Sequence, residues 1–217
     1  MKNQKNDLYA YEKALLAKGI RYIAGVDEVG RGPLAGGVLA CACILDLSIP
    51  IDGIDDSKKL SEKKRLRLSM EIEEKAISYA FGYVSEKEID TINIYQASRK
   101  AMKKAVQALK VKPDHLLVDA LSIDVDIPQT SIIKGDAHSV SIGAASILAK
   151  VKRDAMMVKF NERYPGYGFD KHKGYPTAFH LEQLKRLKPC PIHRRSYQPV
   201  KDVLIEQMQL NLGGHND

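Results

Sequence analysis

Apolar runs that stop at carboxylates, alternating along the chain with stretches of helical periodicity, constrain the fold more than any other feature of this sequence. Tyr22 to Val26 and Val38 to Leu45 are apolar runs bounded by glycines and Pro33, which predicts two strands joined by a tight glycine-rich turn, most simply as a hairpin. Between residues 61 and 77, Leu66, Met70 and Ile77 share one face behind Ser61, so an amphipathic helix capped by that serine is expected. Ile77 to Val84 reads as a further strand. From 93 to 110, Ile94, Ala97, Ala101, Ala105 and Ala108 recur in steps of three and four, predicting a helix that packs through small residues and stops before Pro113. His115 to Val118 ends at Asp119, and Thr130 to Ile133 ends before Gly135 and Asp136; both read as strands feeding carboxylates into loops. Ser139 is expected to cap a long helix to about Tyr164, with Ala144, Leu148, Val151, Ala155 and Val158 inward, and a shorter helix follows from Thr177 to Leu187. Strands interleaved with long helices make an α/β architecture, in which sites form at strand ends.

The bulk properties narrow the class. A chain of 217 residues suits one core with a modest appendage. Three cysteines, Cys41, Cys43 and Cys190, form neither a CxxC pair nor an even disulfide framework, and the first two sit in an apolar run at strand spacing. They read as small buried side chains in a reducing compartment. No apolar stretch in the first twenty residues resembles a signal peptide or a membrane span, so a cytoplasmic protein with no membrane partner is expected. The net charge of +7 is unevenly placed: residues 171–195 hold Lys171, Lys173, Lys185, Arg186, Lys188, Arg194 and Arg195 against Glu182 alone. Such a block suits a polyanion, because it neutralises phosphates and releases their counterions; a solvated surface is the plain alternative.

Asp27 and Glu28, in VDEVGRG, are adjacent acids at the expected end of the first strand. Strand neighbours point to opposite faces, so both reach one ion only where the strand ends or bulges. Alone, the pair reads as a solvated turn; its weight comes from Asp119 and Asp136 at two other strand ends. Hard oxygen ligands with no His/Cys set beside them suit Mg2+ or Mn2+ and not zinc. Asp136 has a second reading, as an acid favouring the dipole of the helix behind Ser139. Asp154, three residues after Val151, reads as a ligand or as a salt-bridge partner for Arg153 or a neighbouring strand, the structural role being the better fit. The string GRGPLAGG lacks the helix that a dinucleotide-binding loop needs straight after its glycines, and a Walker lysine is absent. Bare backbone at Gly30 and Gly32 would instead admit a sugar-phosphate, with Arg31 available to a phosphate. Tyr164, Tyr167, Phe169, Tyr175, Phe179 and Tyr197 interleave with the basic block, where rings can pack on sugars or bases. His172 and His193 read as surface or capping histidines.

With these residues in view, the strings GVDEVGRGPLAGGVLACACIL, DDSKKLSEKKR, LLVDA, KGDAHSVSIGAASILAKVKRD, YPGYGFDKHKGYPTAFH and HRRSY, in order through residues 22–197, resemble bacterial ribonuclease HII. The resemblance implies a ribonuclease H-like mixed sheet flanked by helices, with a small helical C-terminal appendage. It implies a catalytic core over 21–165, a basic substrate-binding segment over 166–205, a tail or short helix over 1–20 and a tail over 206–217. It puts the family's four metal-binding acids on Asp27, Glu28, Asp119 and Asp136, its Gly-Arg-Gly turn on Gly30, Arg31 and Gly32, and its sugar-sensing tyrosine on Tyr175. Lys185 and Arg186 are assigned to the duplex backbone. Ala120 stands where many relatives carry glycine, and the N-terminal stretch is too short for the added domain of some relatives. The implied reaction is two-metal hydrolysis, with Mg2+ or Mn2+, of the RNA strand of RNA/DNA hybrids and of the bond 5' to single ribonucleotides in duplex DNA. No obligate protein partner is implied. Two rivals from other classes are a non-catalytic nucleic-acid-binding protein, separable by a metal-dependent digest, and a nucleotide-dependent oxidoreductase, which would have to bind a dinucleotide.

Overall fold

Strand β1 (Ile23–Val29) lies at the centre of a five-stranded sheet because it is apolar enough to be covered on both faces. It pairs antiparallel with β2 (Val38–Leu45), every residue of which is buried, and parallel with β4 (His115–Asp119). The sheet is completed by β3 (Ala76–Val84) beyond β2 and β5 (Gln129–Ile132) beyond β4, in the order β3-β2-β1-β4-β5. Helices α1 (Ala10–Leu16), α2 (Glu62–Lys75), α3 (Glu86–Gln107), α4 (Val140–Arg163), α5 (Phe169–His172), α6 (Ala178–Leu187) and α7 (Gln198–Gly213) complete the chain, with a 3-10 turn at Gly135–Ala137. This computed structural model describes residues 7–54, 57 and 60–213; Asp55, Asp56, Lys58 and Lys59 of the DDSKKL string lie outside the described residues.

By internal contacts the chain divides into two units, each built from three stretches: 1–29, 39–83 and 98–152 in the first, and 30–38, 84–97 and 153–217 in the second. In the first, Cys41, Cys43, Leu68, Ile72, Ala144 and Leu148 form one apolar cluster, and Ile23, Leu117, Ile132 and Ile142 form another. A Cβ on Gly25 would stand 2.0 Å from the Ser141 carbonyl carbon, so only glycine allows α4 this close to β1. In the second, Ala35, Met157, Tyr167, Phe169 and Ile192 pack together, and Leu34 packs with Leu184, Val200 and Val203.

Several sequence expectations are corrected. Strand β1 continues three residues past Val26, with Asp27 opposite Cys41 and Glu28 opposite Ala40, so the acids lie within the ladder and not beyond it. Residues 30–37 between β1 and β2 make a long excursion into the second unit instead of a tight turn. Helix α2 does begin after Ser61, whose side chain accepts from the Lys64 amide. It buries Leu68 and Ile72, however, and exposes Leu66, Met70 and nearby Ile77, because an alternative apolar stripe on the nearly opposite face of the helix packs into the core. Helix α3 starts at Glu86, before its small-residue stripe. Asn93, at φ +66, breaks the helical path, and its side chain accepts from the Gln96 amide, so the expected periodicity belongs only to the second segment. Within it Ala97, Ala101 and Ala105 are buried as expected, whereas Ala108 is exposed. Beyond Leu148, α4 buries Arg153 and Met157 in place of Ala155 and Val158. An apolar pattern cannot anticipate a buried arginine, which is stable here because backbone carbonyls receive its protons.

Candidate active site

The four acids singled out by the sequence all belong to the first unit. Asp27 is buried, 6% exposed, and its Oδ1 accepts from the Glu28 amide at 2.7 Å. The parallel register places Val26 beside Val118, so Asp27 and Asp119 are the next residues on adjacent strands. Asp119 Oδ1 accepts from the Gly135 amide at 2.7 Å, which ties the end of β4 to the 3-10 turn carrying Asp136, itself 6% exposed. The chain leaves β4 through Ala120 at φ +51, a left-handed position that favours glycine and that this sequence fills with alanine.

Burial first, then the charges of Glu28, Asp119 and Asp136, hold the Asp27 carboxyl well above the ordinary carboxylate range, against a hydrogen bond from Ser146 that acts the other way. The Ser146 hydroxyl in turn shares a 2.9 Å hydrogen bond with Ser57. Three carboxylates within electrostatic reach of a fourth, Asp27, which burial disfavours as an anion, make a region of negative potential that a cation relieves. The donor set, all oxygen, fits hard ions such as Mg2+ or Mn2+. Among the described residues no three His, Cys, Asp or Glu side chains already stand as a grouped ligand set, so the fit lies in charge and donor chemistry and not in a preformed cage.

Gly30, Arg31, Gly32, Tyr175, Lys185 and Arg186 belong to the second unit. Gly30 has φ +94, and a Cβ there would stand 2.2 Å from Arg153 Nε. A Cβ on Gly32 would meet only the Tyr175 ring, 3.4 Å from Cε1, so glycine turn and tyrosine lie side by side. Arg31 and Gly32 are exposed and Tyr175 is 41% exposed, leaving this face open to a ligand. Lys185 and Arg186 project from the last turn of α6, both exposed.

What holds the glycine turn was not legible in the sequence. Arg194, fully buried, donates to the carbonyls of Gly30, Arg31, Gly36 and Gly37 and to the Tyr197 hydroxyl. Arg153 donates to the carbonyls of Ala35, Gly37 and Lys173. Two guanidinium groups thus satisfy loop carbonyls between β1 and β2, where Ala35 also forms an antiparallel bridge with His193. Arg194 is therefore a structural clamp and not one of the basic block's phosphate contacts. His193 is likewise buried, 2% exposed, and so is His180, correcting the surface reading of His193. The only available signal was the HRRSY string, whose two adjacent arginines have opposite fates. Arg195 is exposed, its amide donating to Asp90.

Cys41 and Cys43 are buried and free, with thiols pushed up by burial, Cys43 to about 12. Cys190 is half-buried and raised to about 11. None has the lowered pKa of a reactive thiol. Among the described residues no helix is long and apolar enough to cross a membrane.

Comparison with known proteins accords with this geometry. Residues 24–200 match the family model described as Ribonuclease HII. Ribonuclease HII of Bacillus cereus (strain 03BB102) is 53% identical over 198 residues, 91% of this chain and 77% of that one. Ribonuclease HII of Bacillus cytotoxicus is 52% identical over 207 residues, 95% of this chain and 80% of that one. Among solved structures, ribonuclease H2 from Pyrococcus horikoshii OT3 has a TM-score of 0.75 at 26% identity, covering 87% of this chain and all of that one. The Mn2+ complex of Bst-RNase HIII has a TM-score of 0.67 at 18% identity, covering 87% and 70%, a likeness of fold. The sheet order and this agreement over most of the sequence together show that the chain belongs to the ribonuclease HII family of ribonuclease H enzymes.

Proposed function

We propose that this ribonuclease H hydrolyses the RNA strand of RNA/DNA hybrids and cuts on the 5' side of single ribonucleotides in duplex DNA, leaving 5'-phosphate and 3'-hydroxyl ends. The observation that carries the reading is the buried Asp27 carboxyl, raised by its burial and by Glu28, Asp119 and Asp136. Two divalent ions, Mg2+ or Mn2+, would supply Lewis acidity toward the attacking water and the departing 3'-oxygen. Asp27, Glu28, Asp119 and Asp136 would hold those ions, and the Gly135 amide fixes the orientation of Asp119. No side chain needs to act as a covalent nucleophile.

Discrimination between RNA and DNA requires groups that meet the sugar, since phosphates are common to both. The exposed backbone of Arg31 and Gly32 and the Tyr175 phenol are suited to that contact: a peptide or hydroxyl group can bond a 2'-hydroxyl, and the ring can pack on a deoxyribose. Lys185 and Arg186 bind the duplex backbone without reading its sequence. The partner proposed is nucleic acid, and the compartment is the cytoplasm, in keeping with three free cysteines. The test is a labelled duplex with one ribonucleotide beside the same duplex made wholly of DNA, at equal metal and salt. Cutting of the first alone, 5' to the ribonucleotide and lost on chelation, is expected. Equal cutting of both, or a break on the 3' side, would overturn the reading.

A further inference from the structure

Three imidazoles, His172, His180 and His193, meet in the second unit behind Tyr175. His180 and His193 are buried, and their Nε2 atoms stand 3.2 Å apart. The His172 and His180 rings stack at 4.4 Å between centroids, and Phe169 meets His180 edge-on. Backbone groups fix which nitrogen carries each proton, because a peptide N–H only donates and a carbonyl only accepts. The Cys190 amide lies 3.0 Å from His193 Nδ1, so that nitrogen accepts and the neutral ring carries its proton on Nε2. His180 Nε2 must then accept from it, which leaves His180 Nδ1–H to donate to the Tyr175 carbonyl at 2.9 Å. His172 is fixed in the same way. Its Nδ1 accepts from the Gly174 amide at 3.1 Å, so Nε2–H donates to the Tyr167 carbonyl at 2.7 Å.

We propose that His193 and His180 form a neutral, one-directional hydrogen-bond relay from the Cys190 amide to the Tyr175 carbonyl, with the half-buried His172 stacked on His180 and bonded separately between the Gly174 amide and the Tyr167 carbonyl, and that His180 and His193 are positioning residues for the Tyr175 phenol. The inference rests on the sugar-sensing role proposed above for Tyr175. Both ends of the relay are main-chain groups, so the chain has one consistent direction. A second proton on His180 would set two donors against each other across the 3.2 Å gap, and one on His193 would set its Nδ1–H against the Cys190 amide at 3.0 Å. The groups around the relay agree with neutrality: Phe169 and Tyr167 pack on it as rings, and the neighbouring Cys190 thiol, raised by burial, stays protonated. His180 and His193 are themselves held down, to about 4 and about 3, first by burial. The Tyr175 carbonyl and the ring that lies over Gly32 hang from the same Cα, so the relay sets where the phenol meets a ligand.

The test has two arms on the full chain. Histidine ring-nitrogen NMR at neutral pH should show the Nδ1–H tautomer for His180 and Nε2–H for His193 and His172; averaging or reversed tautomers would overturn the relay. In cleavage of a single-ribonucleotide duplex, His180→Asn keeps an amide donor where Nδ1–H stands, while His180→Gln keeps only the bond toward His193. The asparagine variant should stay within about threefold of wild type, and the glutamine variant should fall about tenfold in kcat with KM changed less than about twofold. Equal activity of the two variants would overturn the positioning role. A Tyr175→Ala variant that still distinguishes ribonucleotide from deoxyribonucleotide would defeat the sugar-sensing reading, and the functional half of this inference with it. Wrong tautomers beside an impaired Tyr175→Ala would defeat the relay alone.

Discussion

Replacing Arg194 by methionine should loosen the glycine turn and destabilise the fold by an amount the hydrogen bonds allow to be estimated. The guanidinium serves four carbonyls and one hydroxyl, and their dependence on it differs. The Arg31 carbonyl also accepts from the Tyr197 hydroxyl at 2.7 Å, and the Gly37 carbonyl accepts from Arg153, so those two keep a donor. The Gly30 and Gly36 carbonyls depend most on Arg194, and orphaning a buried acceptor costs about 1–3 kcal/mol, giving about 2–6 kcal/mol for the pair. Methionine fills much of the volume, so the cavity contribution stays small. Lysine retains the charge but not the planar fork, and should recover about half of the loss. Urea unfolding of wild type, Arg194→Lys and Arg194→Met measures all three. A methionine variant within about 1 kcal/mol of wild type, or a lysine variant below the methionine one, would refute the clamp.

Acid should destabilise the protein through its buried histidines. Folded values of about 4 for His180 and about 3 for His193, against 6.5 unfolded, mean that their contribution is complete above about pH 6.5 and is lost as pH falls toward 4. The slope approaches about 1.4 kcal/mol per pH unit for each histidine, so a series of unfolding curves from pH 7 to 4.5 should flatten in His193→Asn; an unchanged slope would contradict the assignment. Gly30→Ala and Gly32→Ala should part company. The first meets Arg153 and a left-handed backbone and should cost at least about 1–3 kcal/mol in thermal or urea unfolding, while the second should leave stability within about 0.5 kcal/mol and reduce ribonucleotide cleavage. Neutralising Lys185 and Arg186 together should lower the slope of log affinity against log salt by about 1–2, and an unchanged slope would make them plain solvated surface.

How far the sequence could be read depended on whether a residue's partners were periodic or remote. The strands around Asp27 and Asp119 were legible because their apolar runs are short, bounded by turn residues and interleaved with helical periodicity. Ser61 and Ser139 were equally legible as caps, and each accepts from an amide three residues on, as does Thr177, which the sequence pattern placed inside its helix. Helix faces were read less well. Leu66 and Met70 on α2 compete with Leu68 and Ile72 for the core, and only the docked sheet decides between them. The second half of α4 is oriented by Arg153, whose acceptors Ala35, Gly37 and Lys173 are far away in sequence. The same distance hid the Arg194 clamp and the His180–His193 pair, which no local spacing announces. The four acids carried weight in the sequence only as a set, and their common electrostatic field exists only once β1, β4 and the turn at Asp136 are side by side.

The central claim is that Asp27, Glu28, Asp119 and Asp136 jointly hold the divalent ions on which cleavage depends. Its most direct test is single-turnover cleavage of a one-ribonucleotide duplex by Asp27→Asn across a Mn2+ titration, with circular dichroism to verify the fold. Asparagine removes the charge and almost no volume, so the account predicts a folded protein whose rate is at least about a thousandfold below wild type at every metal concentration. Wild-type turnover in that variant, or undiminished wild-type cleavage in excess chelator, would contradict it.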